Sequence, residues 1–228
     1  MNNGEGKNHM QQFKNLFCPP GFQYDRFQRL RLNQFINQCA HDDVIVEVGS
    51  RTRYMSRNII NLDIRYSPEV DIIADGNCLP FKQGAVAGVI IRGVLEHIGT
   101  PQQVMREIHR CLKANGRVYV EVPFIQGYHA DPSDYQRYTL EGLELLCTSF
   151  SKMESGVCGG PASATAWILQ EFLSQLTSLG NRWVKRKTNV LFGWICLPLK
   201  YLDYVMCNSQ SAKIISSGFY FIGRKTDE

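Results

Sequence analysis

With 228 residues, 44% of them hydrophobic and 20% charged, the chain can bury one substantial core plus an elaboration, but not two full domains. A formal charge of +4 is too mild for a nucleic-acid footprint, so no nucleic-acid partner is expected. Eight cysteines are scattered without a CxxC pair, which fits a reducing, cytoplasmic setting better than a disulfide framework or a zinc site.

Residues 1–23 are polar, with no apolar core, and read as a loose N-terminal arm rather than a signal peptide. Residues 24–228 read as a single domain. Tyr24–Cys39 carries Phe27, Leu30, Leu32, Phe35 and Ile36 at helical spacing, as expected of a helix packed on a sheet. Val44–Val48 is apolar except for Glu47, the pattern of a strand buried on both faces. Ile59–Leu62, Val70–Ala74 and Ala85–Ile91 follow as three further strands. Pro101 opens a helix through Lys113, with Val104, Ile108, Cys111 and Leu112 as its buried stripe and Gly116 just beyond it. Arg117–Val122 is a fifth strand, and Thr139 caps a helix running through Leu146 to Phe150.

Lys152–Cys158 and Ile214–Arg224 read as two last strands. The alternation of strands and helices predicts an α/β fold, a doubly wound, mostly parallel seven-stranded sheet. Between the last two strands lies an insert at about 161–210, helical over Ala162–Leu179. Within it, Arg182, Lys185, Arg186 and Lys187 precede an apolar run, Val190–Leu199, flanked by Trp183 and Trp194. The run is far shorter than the ~20 residues a membrane-spanning helix needs. Cations beside an apolar stretch with tryptophans suit the headgroup boundary of a membrane, here the inner face. The alternative is that the run covers the sheet or a second subunit while the cations face water, and Pro198 opposes one continuous amphipathic helix.

Each strand ends in a polar or glycine-bearing turn, and ligands of open parallel sheets sit at such carboxyl ends. The turns are VEVGSRTRY, NLDI, ADGNCLPF, GVLEHI and the segment PFIQGYHADPSDYQRYT. In this order and spacing they resemble the class I S-adenosylmethionine-dependent methyltransferases. The likeness is greatest to the branch with an LPF turn, a VLEH turn and a late PF…YH…P.DY.RYT segment, often found near surface-glycan synthesis genes. The resemblance covers about 44–146 and, more loosely, the closing GFYFIGRK. It implies a Rossmann-like fold, S-adenosylmethionine as cofactor, and methyl transfer to a small-molecule or glycan-like acceptor. A dehydrogenase on a similar sheet would show GxGxxG and an acid about 20 residues later, and neither is present.

On this resemblance Glu47, Gly49, Ser50 and Arg51 form the first cofactor loop. Arg51 and Arg53 stand where the family usually has glycines. They could grip a carboxylate in bidentate geometry. They also leave open a degenerate methyltransferase fold kept as a binding or scaffold protein. Asp63 is placed to accept from the ribose hydroxyls, as a charge-assisted acceptor. Asp75, with Gly76 and Asn77, is the adenine-side group, although Asp-Gly-Asn is also plain turn chemistry. His129 is the first choice for general base and His97 the second, since an imidazole titrates near neutral pH. Tyr128, Asp134, Tyr135 and Arg137 are read as acceptor-binding groups on the loop that overhangs the pocket. No ligand cluster with metal spacing is visible, and the reaction needs none.

Overall fold

The computed structural model describes residues 19, 21, 25–39, 43–49 and 59–226. These divide into two compact units, Asp25–Cys158 with the strand after Ser216, and Gly159–Ile215 with Pro19 and Gly21.

In the first unit, α1 (Asp25–Asn37) leads into β1 (Ile45–Val48), β2 (Ile59–Asp63), β3 (Ile72–Ile73) and β4 (Val86–Arg92). A 3-10 turn (Leu95–His97), α2 (Pro101–Cys111), β5 (Leu112–Pro123), α3 (Leu140–Leu146), β6 (Phe150–Gly159) and β7 (Gly218–Lys225) complete it. The seven strands form one sheet in the order β3-β2-β1-β4-β5-β7-β6. Pairings from β3 through β5 are parallel, and β7 runs antiparallel to β5. Alternate residues of the central strands supply two cores. Ile45, Ile59, Ile90 and Tyr119 meet Leu32 and Phe35 of α1 on one face. Val46, Val89, Ile91, Val118 and Val120 meet Val104 and Ile108 of α2 and Leu143 of α3 on the other. Each such aliphatic side chain, fully buried, stabilises the fold by about 1.5–3 kcal/mol.

Several boundaries differ from the sequence reading. Leu30 faces solvent, half exposed, so the stripe of α1 is Leu32 and Phe35, with Ile36 partly buried beside them and the Phe27 side chain outside the described residues. The third strand shrinks to two residues, and Asp71, exposed just before it, is held by its side chain. Its Oδ2 accepts from the backbone N (2.9 Å) and Nδ2 (3.1 Å) of Asn61. Helix α2 stops at Cys111, where Leu112 is already extended and pairs with Val86. Thr139 does cap α3, its Oγ1 accepting from Gly142 N at 3.0 Å. That helix ends at Leu146, and Phe150 belongs to β6. The last strand starts at Gly218, because Gln210–Ile214 is a 3-10 turn.

The second unit is helical: α4 (Pro161–Ser178), α5 (Arg182–Cys196), a 3-10 turn (Leu197–Leu202), α6 (Asp203–Met206) and a second 3-10 turn (Gln210–Ile214). Pro198 sits just past the end of α5, so the apolar run is divided between helix and turn. Gly160 precedes α4 with no side chain to cap it. The fully buried Asp203 does so instead, accepting from Ala162 N (2.8 Å) and Ser163 N (2.9 Å). A Cβ at position 160 would lie 2.2 Å from Asp203 Oδ1. Among the described residues no helix is long and apolar enough to cross a membrane.

Candidate functional site

A cavity of about 310 Å³ opens at the carboxyl ends of β1 to β4. That is within the usual size of a small-molecule site, at the place such sheets bind ligands. Its floor is backbone. Gly49, with φ +77°, leaves β1 where an added Cβ would come within 2.2 Å of Val94 Cγ2. Glycine is therefore required there by conformation and by space. Gly93, with φ +62°, turns the chain out of β4 on the other side.

Two carboxylates stand on the wall. Asp63, ending β2, uses Oδ1 to accept from Arg65 N at 2.8 Å. Asp75, after β3, uses Oδ1 to accept from the backbone N (2.8 Å) and Nδ2 (3.0 Å) of Asn77. In each case a local turn occupies one oxygen and the other carries no hydrogen bond among the described residues. Asn77 also holds Thr100, whose Oγ1 donates to its Oδ1 at 3.0 Å, tying the turn after β3 to the start of α2. Gly76 is less constrained, since a Cβ there would meet only ordinary contacts at 3.5 Å and beyond.

The far wall is built from the 3-10 turn after β4 and the segment after β5. Tyr135 N donates to Glu96 O (2.8 Å) and Gln136 Nε2 to Ile98 O (3.1 Å), so the two segments are fastened together. Arg137 forks onto Asp134, and His129 N donates to Asp134 Oδ2 at 2.9 Å. The Arg137 guanidinium, above all, holds the Asp134 carboxyl far below the usual range. The rings of His97 and His129 meet edge to face at 5.3 Å. The buried Glu96 places Oε1 3.8 Å from Nε2 of each. Its carboxylate raises the His129 pKa above the ordinary value, against the opposing effect of burial. At 3.8 Å this is an effect of charge across a gap rather than a hydrogen bond.

Residues 49–120, a stretch that includes Gly49, both wall carboxylates and the 3-10 turn after β4, match a family described as a methyltransferase domain. Similar solved structures include a phosphoethanolamine N-methyltransferase of Haemonchus contortus in complex with S-adenosyl-L-methionine. It is 15% identical over 92% of this chain and 54% of its own, with a TM-score of 0.54. A geranyl diphosphate C-methyltransferase of Streptomyces coelicolor, solved with Mg2+ and S-adenosyl-L-homocysteine, is 14% identical over 88% of this chain and 76% of its own, with a TM-score of 0.51. The cyclase SpnF is 16% identical over 87% of this chain and 81% of its own, with a TM-score of 0.50. A search of the curated proteins finds no match. The chain has the Rossmann-like methyltransferase fold, with a methyltransferase-domain match over residues 49–120.

In this fold Gly49, Asp63, Asp75, Gly76, Asn77, His97 and Tyr135 come together around the cavity. Glu47 does not join them. It is buried and accepts from Arg92 Nε at 3.1 Å, one strand away. Ser50, Arg51 and Arg53 lie outside the described residues. His129 is one ring behind the wall that His97 forms. Asp134 and Arg137 spend their polar atoms on each other and on the loop, so they position its backbone. Tyr128 is 80% exposed and off the cavity. Arg65 escaped the site reading, whereas Asp131 lies in the segment that the reading singled out. Arg65 Nη1 pairs with Asp131 Oδ1 at 2.6 Å, joining the end of β2 to the segment after β5. A cation two residues past Asp63 was the available signal for Arg65.

Proposed function

We propose that this chain transfers the methyl group of S-adenosylmethionine to a small-molecule acceptor. What supports the reading is the pair of strand-end carboxylates, Asp63 and Asp75, each with an oxygen to spare in a cavity where Gly49 leaves no room for a side chain. Asp63 accepts the ribose hydroxyls, and Asp75 with Asn77 bounds the adenine. Bound S-adenosylmethionine would supply an electrophilic methyl, leaving the protein chiefly the task of orienting two reactants. The acceptor enters under the segment after β5. His97 and His129 are the groups at hand to take its proton, His97 from the wall and His129 from behind it. Titration calorimetry with S-adenosylmethionine and S-adenosylhomocysteine tests the cofactor. Asp63→Ala should weaken binding about ten- to a hundred-fold, the worth of a lost charge-assisted hydrogen bond. Equal affinity in a folded variant would remove Asp63 from the site. A radiolabelled methyl-transfer screen tests the reaction. Full cofactor binding without transfer to any acceptor would favour the scaffold reading that Arg51 and Arg53 raise.

The acceptor we favour is glycan-like and lipid-linked, with the helical unit as the membrane contact. Trp183, Trp194, Leu191 and Ile195 of α5 are all exposed, and Lys187 Nζ lies 3.7 Å from the centre of the Trp183 ring. A helix with exposed indoles and Arg182, Lys185, Arg186 and Lys187 at its start suits an anionic headgroup layer. Flotation with anionic liposomes at low and moderate salt is the measurement. Failure to co-float at either salt would withdraw the membrane and leave this face to another protein surface.

A further inference from the structure

We propose that Glu96, His97 and His129 form a site for a divalent transition-metal ion of zinc type. One ligand atom from each lies within 4.8 Å of the others, and Glu96 Oε1 is 3.8 Å from both imidazole Nε2 atoms. In a tetrahedral site with bonds of about 2.0–2.1 Å, neighbouring ligand atoms stand roughly 3.3 Å apart. The two Glu96–His separations close to that by about half an ångström each.

The second observation is the carboxylate itself. The Glu96 side chain is 2% exposed, and its Oε2 is buried without a hydrogen-bond partner. A buried carboxylate oxygen left unpaired is costly, and such an atom marks a missing ion or water. A divalent cation held by both carboxylate oxygens would answer Oε2 together with the two imidazole nitrogens.

The imidazoles are also held as metal ligands are held. His97 Nδ1 is 2.6 Å from Ser133 O, and His129 Nδ1 is 2.9 Å from Gly127 O. A ring nitrogen bonded to a backbone carbonyl carries the proton, so the other nitrogen presents its lone pair, here toward Glu96. Arg137 Nη2 also approaches His129 Nδ1, at 3.3 Å, but its two hydrogens point at Asp134 Oδ2 (2.6 Å) and Gly127 O (3.1 Å). The Arg137 charge is balanced by Asp134 and does not oppose a cation outright.

Two histidines and one glutamate leave at least one coordination position open, the pattern of a working rather than a structural zinc site. His97 lines the cavity, so that position faces an acceptor. Resting on the methyl-transfer reading, this narrows the acceptor to one offering an oxygen ligand, a hydroxyl or carboxylate. The ion would lower the pKa of that hydroxyl, and the histidines would then hold the ion rather than take the proton.

The test begins with metal-free full-length protein titrated with Co2+ and with Zn2+. The expected result is one ion per chain, with a visible Co2+ spectrum of nitrogen and oxygen ligands and no thiolate charge-transfer band. His97→Ala, His129→Ala and Glu96→Gln should each weaken binding at least tenfold while the circular dichroism spectrum is kept. Absence of stoichiometric binding by wild type, a thiolate band, or variants that bind as wild type does would overturn the site. If a variant does not fold, the wild-type Co2+ spectrum alone decides. S-adenosylmethionine calorimetry on the same samples keeps the two readings apart: cofactor binding without ion binding overturns the metal site only, and the reverse overturns the methyl-transfer reading only.

Discussion

The sheet unit and the helical unit use comparable apolar side chains to opposite ends. In the sheet, Val46, Val89, Ile90, Ile91, Val118 and Val120 have no exposed surface. In the helical unit the buried cluster is Ala166 and Cys196 with Trp167 and Leu199 against it, while Phe172, Leu179, Trp183 and Val205 are 60%, 89%, 64% and 76% exposed. A sheet covered by helices on both faces consumes its hydrophobic residues. The helices of the second unit are instead fastened by polar groups. Gln170 Nε2 donates to Asn189 Oδ1 (2.7 Å), Asn189 Nδ2 to Glu171 Oε1 (2.8 Å), and Asp203 caps α4. The first unit is a scaffold that closes on itself, and the second keeps its apolar groups turned outward, toward something else.

Four changes would break or sharpen that contrast. The largest effect is expected from Ile91→Ala in the dry core, which should cost about 2–5 kcal/mol in denaturant unfolding. A loss under about 1 kcal/mol would mean the sheet is less tightly packed than its burial implies. Next is Asp203→Ala, which removes a buried carboxylate from two amide donors and should cost about 1.5–3 kcal/mol. Hydrogen exchange should accelerate in Pro161–Ser178 and leave the strand amides unchanged; equal acceleration in both units would erase the distinction.

Glu107→Gln probes a polar fastening within the sheet unit. Glu107 Oε2 accepts from Leu79 N (2.9 Å), and Arg110 reaches Phe81 O (2.8 Å) and Leu79 O (3.0 Å), so the pair pins the LPF turn. About 1 kcal/mol should be lost at neutral pH. The Arg110 hydrogen bond, chiefly, lowers the Glu107 pKa in the folded state. Its contribution is therefore full above the ordinary carboxyl pKa and disappears as pH falls through the lowered one. Wild type and variant should converge in acid, and a difference that persists there would assign the effect to packing. Smallest is the double change Phe172→Ser with Trp194→Ser, expected to alter stability by no more than about 0.5 kcal/mol. A larger destabilisation would show that these side chains are internal supports after all.

The fold was legible because its signals are local. Apolar runs bounded by turn residues mark β1, β4 and β5, and Pro101 and Thr139 mark helix starts. Boundaries slipped where side chains bond across strands, as where Asp71 beside β3 takes the amide of Asn61 in β2. The roles of acids were harder. Asp63 and Asp75 follow strands and point to a ligand by position, but Glu47, read alike, is engaged by Arg92 from a neighbouring strand.

The sequence by itself determined the doubly wound sheet, the order of its ligand-facing turns and the helical insert, because hydrophobic periodicity and turn chemistry act over a few residues. Only the tertiary structure decided which polar groups meet. Glu96 and His97 carry no metal-site spacing with His129, which follows a whole helix and strand later. The parallel pairing of β4 with β5 carries the ends of both strands to one edge, and there one polar atom of each of the three side chains lies within 4.8 Å of the others. Contacts between residues far apart in the chain are set by packing, and no local pattern encodes them.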